Sequence, residues 1–238
     1  MRIDKFLADV NLGTRSEIKK IIKQKRVRVN DEIIRDPKIQ VDLESKVYVD
    51  DSLITYQRYF YYMLNKPQGV ISATSDTSAR TVLDLIAKKD LVKDLAPVGR
   101  LDKDTTGLLL LTNDGQLAHD LLAPKKHVAK LYQALIAGVV DEQTCESFAW
   151  GLILKDQTQL KPAQLEILSV DLNKEQSLIQ ITISEGKYHQ VKRMFGAVGM
   201  KVLTLKRLKM GNLTLDQTLR PGQYRPLSMD ELAMLKQS

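Results

Sequence analysis

Asp102 is the residue whose surroundings most suggest chemistry. It precedes a strongly apolar run at residues 108–111, and Arg100 and Lys103 flank it. A carboxylate held between an apolar core and cationic neighbours can stay ionised and poorly hydrated. A nucleophile or a general base needs that state. Spacing alone leaves open the alternative that Asp102, or Asp104 two residues later, only caps a turn.

The other reactive residue types favour neither a metal site nor a cofactor. The three histidines, at positions 119, 127 and 189, are not at ligand spacing, and Cys145 is the single cysteine. A zinc site is therefore not expected, and Cys145 is interpreted as a packed apolar residue. The sequence also lacks a phosphate-binding glycine loop and a dinucleotide fingerprint. We expect chemistry by ordinary side chains, with no cofactor.

Composition and cysteine usage predict a cytoplasmic protein without a membrane segment. The apolar run at residues 108–111 is far too short to cross a bilayer. The first residues show no secretory signal, and one cysteine excludes an intrachain disulfide.

The net charge of +7 is concentrated in two short segments. Residues 1–30 hold nine Lys/Arg and three Asp/Glu, and residues 185–210 hold seven Lys/Arg and one Glu. Each segment therefore carries +6, while the rest of the chain is acidic. This distribution indicates two surfaces that meet a polyanion. Two solvated helix faces are the alternative.

Residues 1–50 have the pattern of a small folding unit. Ile3, Phe6, Leu7 and Val10 follow helical spacing, and Thr14 with Glu17 predicts a capping box at the start of a second helix. Short alternating segments near residues 27–29, 32–34 and 46–49 predict strands. The pattern favours two helices packed on a short sheet.

This unit resembles an S4 domain, a small RNA-binding module. The resemblance rests on RIDKFL at residues 2–7, TRS at residues 14–16 and VRVN at residues 27–30. It implies an S4-type domain at residues 1–58. A glycine is common in the family where this chain has Lys25. The implied RNA-binding residues are Arg15, Lys19, Lys20, Lys23, Lys25 and Arg26.

Residues 59–238 alternate between strand-like and helix-like patterns. Strands are predicted at residues 60–64, 108–111, 131–137, 163–170, 178–184 and 201–209. Helices are predicted at residues 116–122 and 190–198. The prediction is an α+β fold in which the second domain has a mixed, largely antiparallel sheet, flanking helices and a central cleft.

Four segments, in order, resemble the motifs of pseudouridine synthases. The central one is GRLDKDTTGLLLLTNDG at residues 99–115, whose first aspartate is the residue that families of these enzymes share. The others are YMLNKPQGV at residues 62–70, KLY at residues 130–132 and EGKYHQVKRMF at residues 185–195. The resemblance implies an enzyme that isomerises uridine in RNA, using no cofactor, with its target base turned out of the stack.

The same resemblance assigns residue roles. Asp102 is the catalytic carboxylate, while Asp104 has no place in the motif. Tyr132 lies against the target base, and Lys192 pairs with Asp102 and keeps it anionic. The implied substrate-binding residues are Asn65, Lys66, Arg100, His189, Gln190, Arg193 and Leu205. Ordinary structural roles stay open for Tyr132, Lys192 and Leu205.

The form of the last motif resembles the branch that acts on small-subunit ribosomal RNA, as does PGQYRPL at residues 221–227. It implies modification of uridine 516 of 16S rRNA, within a small-subunit assembly particle and by a monomer. The same reaction on 23S rRNA and a non-catalytic RNA-binding or assembly role remain alternatives. A glycoside hydrolase would need two carboxylates across a sugar cleft, and only Asp102 fits the motif.

Overall fold

The computed structural model describes residues 1–42 and 44–237, which form two compact units. One unit comprises Met1–Phe60 together with Lys88–Asp94, and the other comprises Tyr61–Ala87 together with the chain from Leu95 onward. The sequence had placed residues 88–94 in the second domain. They join the first unit, where the Asn11 side-chain amide donates to the Lys89 carbonyl at 3.2 Å.

The first unit packs two helices on a four-stranded antiparallel sheet in the order β2-β1-β3-β4. Its apolar core comes from both helices and the strand faces beneath them, as the helical spacing predicted. The elements are α1 (Ile3–Asp9), α2 (Arg15–Lys23), β1 (Val27–Val29), β2 (Glu32–Ile33), β3 (Val47–Val49) and β4 (Ser52–Ile54).

The start of α2 has the predicted capping box. The Glu17 backbone N–H donates to the Thr14 hydroxyl at 3.3 Å, and the Thr14 N–H donates to the Glu17 carboxylate at 2.7 Å. These bonds satisfy donors that a helix start leaves free. After α2, Lys25 has φ +62°, so it takes the left-handed conformation that a glycine adopts most readily.

The second unit is built on a nine-stranded sheet in the order β13-β5-β7-β11-β8-β10-β9, with β6 beside β7 and β12 beside β11. In the described chain only β7 and β11 pair in parallel, so the predicted mixed, largely antiparallel sheet is confirmed. The strands are β5 (Tyr61–Lys66), β6 (Ala96–Pro97), β7 (Thr106–Thr112), β8 (Lys130–Ala137), β9 (Gln164–Asp171), β10 (Gln176–Ile183), β11 (Lys201–Met210), β12 (Leu213–Thr214) and β13 (Tyr224–Pro226).

Strand β7 is buried on both faces, which explains its unbroken apolar sequence. Leu108 and Leu110 face a core shared with Leu117 and Leu121 of a helix that follows at once. The helices of this unit are α3 (Gly115–Leu122), α4 (Glu142–Trp150), α5 (Gln190–Ala197) and α6 (Met229–Lys236). The sequence predicted α3 and α5 to within a residue but not α4 or α6.

Candidate active site

Asp102 lies in a turn that leads into β7. The Thr105 N–H donates to the Asp102 carbonyl at 3.1 Å, and the Gly69 N–H donates to the Lys103 carbonyl at 2.8 Å. Asp102 and Asp104 are therefore loop residues, and β7 begins after them. These hydrogen bonds fix the backbone of the turn from which the Asp102 carboxylate extends.

The Lys66 ammonium also stabilises the backbone of this turn. Its side chain is 0% exposed, and its ammonium donates to the carbonyls of Pro67, Asp102 and Thr105 at 3.0, 3.0 and 2.8 Å. Burial lowers the pKa of Lys66 to about 8. We expected Lys66 to contact substrate, but the structure places it beneath the loop. A cation among carbonyl dipoles there holds the Asp102 backbone.

Lys192 of α5 reaches the Asp102 carboxylate from the opposite side. Its ammonium donates to Asp102 Oδ2 at 2.9 Å and to Asp104 Oδ1 at 2.6 Å. Burial alone would lower the pKa of Lys192, yet its hydrogen bonds to Asp104 and Asp102 raise it overall. The hydrogen bond from Lys192 lowers the pKa of Asp104. The group therefore carries a firmly charged ammonium between two carboxylates.

His189 also faces Asp102, with its Nε2 3.5 Å from Asp102 Oδ1. The residue has φ +49° at the start of α5, and its ring stacks on Tyr188 with 3.8 Å between centroids. This backbone conformation turns the imidazole towards the carboxylate. The arrangement brings His189 and Lys192 to the two oxygens of one carboxylate.

A cavity opens beside Asp102. Tyr132 of β8, Ile183 of β10 and Leu205 of β11 form apolar walls, and Arg100 lies at its polar side. Tyr132 and Leu205 are 8% and 7% exposed, so each shows only a small surface to the cavity. An aromatic ring and aliphatic side chains next to a carboxylate could bind a planar nucleobase, with the attached sugar in contact with Asp102.

Gly107 brings the Asp102 loop close to the strand that carries Leu205. It has φ +99°, and a Cβ there would lie 2.2 Å from the Arg207 carbonyl oxygen. Only glycine permits this approach of β7 to β11. The glycine of the central motif therefore sets the distance between Asp102 and the apolar wall.

Three residues expected to bind substrate do not line this cavity. Lys66 is buried as described, and the Asn65 amide donates to the Leu219 carbonyl at 2.7 Å, tying β5 to the C-terminal segment. Arg193 turns away towards Asp156, at 2.5 Å. Gln190 does line the cavity, but its amide donates to Glu185 at 2.9 Å and accepts from the Lys187 N–H at 2.9 Å.

Sequence reasoning assigns no role to Asp104 or to Ile183, and both lie at the site. Asp104 shares the Lys192 ammonium, and its only sequence signal was its position two residues after Asp102. Ile183 completes the apolar wall at the last position of β10, where nothing distinguishes it from other core strand residues.

The first unit carries a separate basic surface. The six residues predicted to bind RNA, Arg15, Lys19, Lys20, Lys23, Lys25 and Arg26, are all exposed. Arg26 differs from the others because its guanidinium binds both oxygens of Asp50, at 2.7 and 2.5 Å. The remaining five cations are displayed along and just after α2, where a polyanion can reach them.

Two further properties concern residues 1–42 and 44–237. Within them no helix is long and apolar enough to cross a membrane. In the same part of the chain, no group of three or more His, Cys, Asp or Glu side chains is arranged to hold a metal ion.

Comparison with known proteins identifies relatives of both units. The sequence pattern of the RNA pseudouridylate synthase family matches residues 60–197, and that of the S4 domain matches residues 1–52. The chain is similar along its whole length to the uncharacterized RNA pseudouridine synthase YtzG of Bacillus subtilis, at 44% identity over 100% of this chain and 99% of the relative.

The ribosomal small subunit pseudouridine synthase A of Haemophilus influenzae is 43% identical over 99% of both chains. A crystal structure of a pseudouridylate synthase superposes with a TM-score of 0.68, at 41% identity and 99% coverage of each chain. The match extends through both units.

Proposed function

The chain belongs to the RNA pseudouridylate synthase family and carries an S4 domain, and from this premise we propose that it converts one uridine of 16S rRNA, position 516, to pseudouridine with Asp102 as the catalytic carboxylate. The observation that carries the assignment is the 2.9 Å contact of Lys192 with Asp102, beside the cavity that Tyr132, Ile183 and Leu205 wall on one side. This contact supports the proposal, because the sugar of a base bound in that cavity would lie beside the Asp102 carboxylate.

The reaction is an isomerisation that asks the protein for positioning and charge. The N1–C1′ bond of the uridine breaks, the uracil turns, and a C5–C1′ bond forms, while the C5 proton is lost and N1 gains one. No net oxidation occurs, and we expect no cofactor. Asp102 is the anionic group beside the sugar, and the Lys192 ammonium stabilises its charge.

Tyr132 and Leu205 are proposed to hold the uracil while it is detached. The base has to leave the RNA stack to reach Asp102. Stacking on an aromatic ring is worth roughly 1–3 kcal/mol per base, which offsets part of that cost. The Tyr132 hydroxyl is proposed to relay the C5 proton. Arg100 and His189 are proposed to bind the sugar–phosphate portion of the target nucleotide, since both line the cavity.

The choice of small-subunit RNA is supported by the relatives and by motif form. The Haemophilus influenzae relative is named for the ribosomal small subunit, and the chain has the KYHQVKRMF segment at residues 187–195. Phosphate contacts from the five exposed cations along and just after α2 would position RNA without reading its sequence. We propose a monomer that acts in the cytoplasm on a small-subunit assembly particle, where the RNA around the target is already folded.

The test supplies purified protein with undermodified 16S and 23S rRNA, each naked and as ribonucleoprotein, and maps every pseudouridine formed. We expect one site in 16S rRNA, formed fastest in the particle. Modification of 23S rRNA alone would contradict the small-subunit assignment and leave the enzyme class intact.

A further inference from the structure

Asp104 shares the ammonium that binds the catalytic carboxylate. Lys192 Nζ is 2.6 Å from Asp104 Oδ1 and 2.9 Å from Asp102 Oδ2, so it bridges the two groups. The Asp104 side chain is 60% exposed, against 29% for Asp102. Asp104 thus lies on the solvent side of the Lys192–Asp102 pair. The motif resemblance gives Asp104 no role.

A carboxylate at this position has a cost for an RNA-binding protein. Asp104 lines a second cavity together with Gln68, Gly69 and Lys103. Both cavities share Asp102, His189 and Lys192 in their lining. RNA entering the cleft brings phosphates past this point, and an exposed anion repels them. A benefit in the chemical step would account for its presence.

The benefit follows from the nature of lysine. Its ammonium sits on a long flexible stem, and nearby phosphates compete for it when RNA binds. A single contact with Asp102 would let Lys192 swing outward. We propose that Asp104 is a positioning residue that holds the Lys192 ammonium against this competition, so that it stays on Asp102 during turnover.

The backbone geometry suits such a role. Asp102 and Asp104 come from one turn, which is closed by the Thr105 N–H to Asp102 carbonyl bond and braced by the Lys66 ammonium. Two carboxylates presented from one braced turn define a single position for a shared ammonium. Lys192 is 25% exposed there, so solvent and phosphate can still reach its ammonium.

The inference rests on the proposed function, and it is tested on undermodified small-subunit particles. Asp104→Asn should lower kcat about tenfold, because a charge-assisted contact on Lys192 is lost. It should tighten RNA binding about two- to fivefold, because a repulsive surface charge is removed. Raising the salt concentration should shrink the kcat deficit, since salt screens the competing phosphates.

Asp104→Glu retains the carboxylate and should recover most of the kcat. The matched control is Asp120→Asn, which removes a partly exposed carboxylate of α3, with 46% of its side chain exposed, that lies outside both cavities. Equal kcat values for Asp104→Asn and Asp120→Asn, or a parallel loss of kcat and affinity in Asp104→Asn, would overturn the inference alone. A wild-type protein inactive on every rRNA would overturn the proposed function as well.

Discussion

Lys66→Met tests whether a buried cation holds the Asp102 loop. The wild-type ammonium is 0% exposed and donates to three carbonyls at 2.8–3.0 Å. Methionine keeps an unbranched side chain, one heavy atom shorter than lysine, and donates no hydrogen bond. Three orphaned carbonyls cost together about 3–9 kcal/mol, and relief from burying the charge offsets about 3 kcal/mol. We expect a net loss of about 0–6 kcal/mol of stability at pH 7. Turnover should fall more than tenfold, because the loop moves.

The pH dependence is the decisive part. The folded-state pKa of Lys66, about 8, lies below its ordinary 10.5. Between those values the unfolded chain holds the Lys66 proton and the folded chain has released it, so wild-type stability rises with pH relative to Lys66→Met. The stability difference should grow by about 2 kcal/mol between pH 8 and pH 9.5, at about 1.4 kcal/mol per unit.

Denaturant unfolding of both proteins at pH 7, 8, 9 and 9.5 measures this difference in unfolding free energy. The contributions of the other titrating groups are the same in both proteins and cancel in the difference. Lys125→Met, at an exposed lysine, is the control and should show a constant difference. A Lys66→Met difference that stays constant or shrinks as pH rises would refute the assignment of Lys66 as a buried cation beneath the loop.

Two further predictions concern the other basic groups. Lys192→Met should lower kcat at least tenfold and change RNA affinity less than threefold, because the Lys192 ammonium binds two carboxylates. An equal loss of kcat and RNA affinity would identify Lys192 as a phosphate contact. The exposed cations of α2 are to be replaced by glutamine at Arg15, Lys19, Lys20 and Lys23. These substitutions should weaken rRNA binding and reduce the slope of log Kd against log salt concentration by about 0.7–0.9 per lost phosphate contact. An unchanged slope would exclude this face from RNA binding.

Local patterns in the sequence predicted most of the fold because they report local physics. A threonine followed three residues later by a glutamate predicts a capping box at a helix start. Thr14 and Glu17 form this capping box, so the prediction is confirmed. Ser228 and Glu231 carry the same signal, with the Glu231 N–H donating to the Ser228 hydroxyl at 3.1 Å. Their helix, α6, was not predicted because the apolar residues of the helix show only weak helical periodicity. The capping-box signal alone would have indicated a helix start.

The site was harder to predict because side-chain direction depends on tertiary packing. Asn65 and Lys66 stand in a motif, which led us to expect substrate contacts, yet β5 directs both towards backbone carbonyls. Arg193 follows Lys192 directly, and one step along α5 turns it to Asp156. The sequence assigns no role to Asp104, because an ion pair between residues 88 positions apart has no sequence signature.

The most direct test of Asp102 as the catalytic carboxylate compares wild-type protein with Asp102→Asn on the same undermodified small-subunit particles. The amide keeps the size of the side chain and removes the charge. The assay maps pseudouridine in the rRNA, with particle binding measured in parallel. We expect one new pseudouridine from wild-type protein and none from Asp102→Asn, with binding retained. Pseudouridine formed by Asp102→Asn at a rate near that of wild type would contradict the assignment.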